Sequence, residues 1–180
     1  MGFASYVNKL TDNDEWYTPE EAVKIILPLI PDNVKTIWCP FDKPESEFVK
    51  VFTTGGHFVI CSHIEDGKDF FLYEPEENYD AIISNPPYSK KDAVYERLFR
   101  LGKPWAMLVG MNGLFDSKKR FSMFREHGAQ ILVPDGRTKF IGRSDGKLFA
   151  PPFQAVYVCW HLLPETIMFQ QDEGSLFKEG

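Results

Sequence analysis

Asn85-Pro86-Pro87-Tyr88 sets a carboxamide, two prolines and an aromatic ring directly after the apolar run Ala81-Ile82-Ile83-Ser84. Proline has no N–H to give a sheet ladder, so the run must stop there, and Pro86 also restricts Asn85 to extended backbone. A stiff corner at the carboxyl end of a strand results, holding the Asn85 amide and nearby carbonyls as preorganised hydrogen-bond acceptors. The plain structural alternative is a rigid Pro-Pro turn with a packed tyrosine. Other chemistry-bearing patterns are weaker. Cys61-Ser62-His63 and Cys159-Trp160-His161 share a C-x-H spacing that could supply two halves of a zinc site, but the expected strand order sets them apart, and no metal is expected. Gly55-Gly56 and Gly110-Met111-Asn112-Gly113 lack the lysine of a phosphate loop, and no G-x-S-x-G elbow exists. Nucleoside-triphosphatase and acyl-transfer chemistry are therefore set aside.

The elements that must position this corner alternate. Thr18-Pro19-Glu20-Glu21 reads as a helix start, with Thr18 as N-cap and Pro19 first in a helix running to about Leu27. Strands are expected at 36–39, 58–62, 70–73, 81–84, 105–109, 130–133 and 154–161, mostly continuous apolar runs of the buried kind. Helices are expected at 45–52, 91–100 and 117–126. This alternation implies an α/β fold, an open, mostly parallel sheet of seven strands with right-handed crossovers and helices on both faces. Ligands of such sheets bind beyond the carboxyl ends of the strands, near the switch in strand order. With 180 residues and no repeat or linker, the chain is expected to form a single domain over 1–180, with a core over 12–163 and a polar tail over 164–180.

Tyr79-Asp80-Ala81-Ile82-Ile83-Ser84-Asn85-Pro86-Pro87-Tyr88 resembles the catalytic motif of S-adenosylmethionine-dependent amino-methyltransferases, especially DNA adenine-N6 methyltransferases. Asp14-Glu15-Trp16-Tyr17-Thr18-Pro19 resembles the amino-terminal segment of the small phage-type members, and the likeness covers roughly residues 12–160. The resemblance implies a Rossmann-like methyltransferase sheet, S-adenosylmethionine as donor, and transfer to adenine N6 in DNA. Asn85, Pro86, Pro87 and Tyr88 would form the reaction centre. There the Asn85 side-chain oxygen and the Pro86 carbonyl accept both N–H bonds of the amine, and Tyr88 stacks on an extruded base. The donor would lie against Cys39, Pro40, Phe41 and Asp42, with Asp42 on its ammonium. Ser62 or His63 would serve its ribose, with Glu65 as fallback, and Asp69 and Phe70 its adenine. The Asp66-Gly67 pair reads equally well as a turn opening a hairpin or edge strand. Tyr17, Thr18, Pro19 and Asn85 would complete the cofactor site, although Trp16 is equally readable as a hydrophobic staple. Residues 37–48 contain no glycine where the family has a glycine-rich turn, and there Ser46 is an alternative helix cap.

Net charge is −6, yet residues 88–147 hold thirteen Lys and Arg against six Asp and Glu. That asymmetry suits a face that meets an anion. Lys90, Lys91, Lys118, Lys119, Arg120, Arg137, Lys139 and Arg143 all follow strand ends on the expected catalytic side, and they are candidate DNA contacts. The stretch 134–152 reads as a substrate-side loop or as a β-hairpin around Arg143-Ser144-Asp145-Gly146. No apolar run approaches the roughly 18 residues of a membrane span, and three dispersed cysteines argue against a disulfide framework, so a cytoplasmic protein without a membrane partner is expected. Two other readings keep the fold: transfer to a different planar amine or amide, such as RNA adenine or protein glutamine, or a catalytically degenerate subunit that binds nucleic acid or protein.

Overall fold

The computed structural model describes residues 16–142 and 148–171. Asp14, Glu15, Arg143, Lys147 and the end of the tail lie outside the described residues. In chain order the elements are β1 (Trp16–Tyr17), α1 (Glu20–Lys24), β2 (Thr36–Cys39), α2 (Glu47–Thr54), β3 (Phe58–Cys61), β4 (Ala81–Ser84), α3 (Lys91–Leu101), β5 (Trp105–Gly110), α4 (Lys118–His127), β6 (Gln130–Val133), β7 (Phe140–Gly142), β8 (Leu148–Phe149), β9 (Ala155–Trp160) and β10 (Ile167–Phe169). Single 3-10 turns cover Leu27–Leu29, Ile64–Asp66 and Tyr88–Lys90.

Seven strands form one open sheet in the order β10-β6-β9-β5-β4-β2-β3, and β1, β7 and β8 form a separate three-stranded one. Within the large sheet β9 runs antiparallel to β5 and β6, and the other neighbours are parallel. The chain leaves β2 outward to β3 and then returns to lay β4 on the opposite side of β2, so the order reverses between β2 and β4. Alternation along the strands sorts the core into two layers. Ile37, Cys39, Ala81, Ile83, Ala106 and Leu108 meet Ala22 and Val23 of α1 and Phe48, Val51 and Phe52 of α2. Trp38, Ile82, Trp105, Met107 and Val109 meet Val94, Tyr95 and Leu98 of α3 and Phe124 of α4. Every residue of β4 and β5 is buried, which is why those strands read as unbroken apolar runs.

Three expectations are corrected. Residues 70–73 form a turn, not a strand: Asp69 Oδ1 accepts from Phe71 N, and the Asp69 carbonyl accepts from the Leu72 and Tyr73 amides. Arg97 of α3 then donates to the Phe71 and Tyr73 carbonyls that a neighbouring strand would otherwise have used. The seventh strand is β10, inside the expected tail, with Ile167, Met168 and Phe169 paired in parallel with Ile131, Leu132 and Val133. At the first helix, Pro19 takes the N-cap position in place of Thr18, and the α-helix ends at Lys24 before a 3-10 turn containing Pro28. The hairpin reading of 134–152 fits the pairing of β7 with β8.

Arg120, expected at a DNA phosphate, is also corrected. It is only 7% exposed, and its guanidinium donates to Asp92 and to the carbonyls of Gly113 and Leu114, stapling the β5–α4 connection to the first turn of α3. Removing one partner of such an arrangement strands the others. Arg120→Met should therefore lower stability by roughly 2–4 kcal/mol in urea titrations, far beyond an exposed Lys118→Met control.

Candidate functional site

The switch between β2 and β4 brings two loops together. The β2 loop is Pro40-Phe41-Asp42, and the β4 loop is the proline corner. The direct ladder between the strands ends at Trp38 and Ile82. Beyond it, Ser84 Oγ donates to Asp42 Oδ2 at 2.5 Å, while the Asp42 amide donates to the Ser62 carbonyl on the far side. Asp42 thus links the ends of β2, β3 and β4. It is buried, and burial pushes its carboxyl up to about 6, opposed by hydrogen bonds from the Ser84 and Ser46 hydroxyls. Ser46 also caps α2 by accepting from Val49 N, as its sequence position allowed.

Asn85 stands one residue past Ser84. Its Nδ2 donates to Thr18 Oγ1 at 3.1 Å, and its Oδ1 is buried without a hydrogen-bond partner among the described residues. A buried unpaired acceptor costs about 1–3 kcal/mol, so such a group calls for an explanation such as an incoming donor. Pro86 is buried, Pro87 is exposed, and Tyr88 begins the 3-10 turn that leads into α3.

The expected cofactor residues divide. Cys39 and Pro40 are buried beside Asp42, and Phe41 lies against Phe70 with ring centroids 4.8 Å apart. Phe70 is itself enclosed by Trp38 and by the Arg97 guanidinium. The Ser62 hydroxyl accepts from Trp38 Nε1 inside the core, and His63 Nδ1 accepts from the Glu65 amide, capping the 3-10 turn. Glu65 pairs with Lys43, which ties the β2 loop to the segment after β3. Asp69 serves the turn described above. Tyr17 is half exposed in β1, Thr18 is buried, and Pro19 begins α1.

An open cavity of about 670 Å³ adjoins the corner, walled by Ser89, Lys90, Lys91, Asn112 and Ser117 among others. Lys91 Nζ lies 3.5 Å from the Gly110 and Asn112 carbonyls, and burial, then the nearby Arg120, lower its pKa. Lys90 sits over the Phe71 ring. Lys118, Lys119, Arg137 and Lys139 are exposed, and Lys119 pairs with Glu96. Two contributors went unnoticed in the sequence, Ser84 and Arg97. A hydroxyl closing an otherwise apolar buried strand was the available signal for Ser84; nothing local marked Arg97.

No protein-family model and no curated protein sequence matches the chain. Among solved structures it is similar to precorrin-6y C5,15-methyltransferase from Geobacter metallireducens GS-15, with 9% identity over 78% of this chain and 86% of that one, at TM-score 0.48. It is similar also to a type I restriction-modification system methyltransferase subunit from Streptococcus thermophilus, with 11% identity, TM-score 0.47 and 92% of this chain covered. The chain spans 50% of that subunit's length. A third is the release factor-specific protein-(glutamine-N5) methyltransferase of Alicyclobacillus acidocaldarius, with 19% identity over 78% and 88%, at TM-score 0.42. These likenesses are distant, and the site's own geometry has to carry its chemistry.

The raised Asp42 pKa has a defined sign. Below about pH 4 the carboxyl is protonated in both folded and unfolded chains; between about pH 4 and 6 the unfolded chain ionises while the folded one stays largely protonated, and above that both are ionised. Stability is lost across that window, on the order of 3 kcal/mol for a shift of about two units. Asp42→Asn should match the wild type at pH 4 and exceed it in stability at pH 8, measured by urea unfolding of the ligand-free protein.

Proposed function

We propose that the chain is an S-adenosylmethionine-dependent methyltransferase acting on the N6 amino group of adenine in DNA. The observation that carries the reading is Asn85: a carboxamide on a proline-locked corner, at the switch point of an open, mostly parallel sheet, with one end tied to Thr18 and its oxygen buried and unpaired among the described residues. An exocyclic amine is a poor nucleophile because its lone pair is delocalised into the ring. Acceptance of its two N–H bonds by Asn85 Oδ1 and the Pro86 carbonyl favours a pyramidal nitrogen and aims the lone pair outward.

Asp42 suits the donor's amino-acid end. A buried carboxylate whose charge is resisted by its surroundings, and only partly offset by the Ser84 and Ser46 hydroxyls, gains from an ammonium partner. S-adenosylmethionine supplies an electrophilic methyl on a sulfonium; nitrogen takes the methyl as the C–S bond breaks, and the amine's surplus proton leaves to solvent. Tyr88 is the residue assigned to stack on the extruded base, since a base inside a duplex cannot offer its amine to a buried donor. Lys90 and Lys91, which follow the corner in the chain, and the exposed Lys118, Lys119, Arg137 and Lys139 are the cations assigned to the phosphates.

Incubation with methyl-labelled donor and adenine-containing DNA, followed by nucleoside mass spectrometry, tests this directly. N6-methyladenine is expected. Label in RNA or protein alone would move the substrate to the second planar-amine reading, and absent donor binding would favour a degenerate subunit. Asn85→Ala should cut transfer by roughly 10²–10³ while leaving donor affinity nearly unchanged. Donor affinity should rise about tenfold from pH 5 to pH 7, as Asp42 ionises, and stay flat in Asp42→Asn when followed by calorimetry.

A further inference from the structure

The Asn85 carboxamide has two orientations related by a half-turn about its last bond, and only one presents an acceptor to an amine. Its orientation is tied to a residue 67 positions earlier in the chain, where Thr18 Oγ1 accepts from Asn85 Nδ2 at 3.1 Å. The opposite atom, Oδ1, is buried and has no partner among the described residues.

Thr18 is placed from both sides. Before it, Tyr17 pairs with Ile141 in the β1–β7 ladder. After it, Pro19 starts α1, whose Ala22 carbonyl accepts from the Tyr157 hydroxyl of β9. A threonine at an N-cap would spend its oxygen on the helix amides, but Pro19 occupies that position, and the Thr18 oxygen goes to Asn85 instead. The small β1-β7-β8 sheet therefore delivers one hydroxyl to the end of β4.

We propose that Thr18 is a positioning residue: by holding Asn85 Nδ2 it commits Asn85 Oδ1 to the acceptor role. This rests on the methyl-transfer reading of Asn85. It differs from the donor-binding role that the family resemblance implies for Thr18, because a positioning residue changes turnover and leaves donor affinity alone.

Thr18→Val keeps the shape and removes the acceptor, whereas Thr18→Ser keeps the acceptor. Thr18→Val should lose roughly 10- to 100-fold in kcat with donor Kd unchanged, and Thr18→Ser should recover most of that loss. A second readout needs no substrate: hydrogen exchange of the Asn85 side-chain amide, followed by NMR, should be slow in the wild type and in Thr18→Ser and fast in Thr18→Val. Weakened donor binding with unchanged kcat in Thr18→Val, or equal amide exchange in wild type and Thr18→Val, overturns the proposal. If the wild type transfers no methyl to DNA, the function reading fails by itself, and the exchange rates still decide whether Thr18 holds Asn85.

Discussion

Strands β2 and β4 stay in register only as far as Trp38 and Ile82, after which their loops belong to connections that diverge around the sheet. What holds the two loops at a fixed separation is the hydrogen bond from Ser84 to Asp42, made where water is excluded and electrostatic interactions are strong. Asn85 follows Ser84 directly, so the position of its carboxamide inherits the precision of that bond. Asp42 is also joined to β3 through its amide and the Ser62 carbonyl. A single residue therefore gathers three strand ends, through its carboxyl to β4 and its amide to β3, and the burial that makes the carboxyl an effective tie also raises its pKa.

Legibility of the sequence followed burial. Ala81–Ser84, Thr36–Cys39 and Gln130–Val133 have the bounds their apolar runs suggested; the first two are buried at nearly every position, as strands with apolar side chains on both faces are, whereas in the third only Leu132 is buried. Phe70–Tyr73 has the same composition without being a strand. Local competition decided it, since Asp69 offers the backbone a turn and Arg97 takes the carbonyls, and neither effect appears in a hydrophobicity pattern. β10 failed the other way: Ile167 and Phe169 are exposed on an edge strand among polar neighbours. Within the site, the proline corner and Asp42 were visible as residue types, whereas the Thr18–Asn85 bond joins distant segments that only the tertiary fold brings together.

Charge was the least informative signal. Lys and Arg cluster after the strand ends, but the same count covers different duties. Arg120 is inside, satisfying carbonyls at a tight turn, where its fork of donors and delocalised charge suit burial better than an ammonium would. Arg97 performs a similar task on the loop after β3. Lys118, Arg137 and Lys139 remain outward, where a phosphate could reach them. Counting cations along the chain merges these groups; burial separates them.

The glycine-free β2 loop has a consequence on the proposed reading. Where glycines let backbone amides approach a ligand, the chain itself recognises shape; with Pro40, Phe41 and Asp42 in their place, recognition falls to one carboxylate and one ring. A carboxylate on the donor's ammonium meets the same group before and after transfer, because the demethylated product keeps its ammonium and loses only the sulfonium charge. Asp42 therefore contributes binding that is uniform along the reaction, lowering KM without raising kcat. Rate enhancement must then come from the other loop, where acceptance of the amine's N–H bonds strengthens as nitrogen becomes cationic during methyl transfer. Affinity and catalysis are thereby assigned to different sides of one hydrogen bond, with Asp42 before it and Asn85 after it.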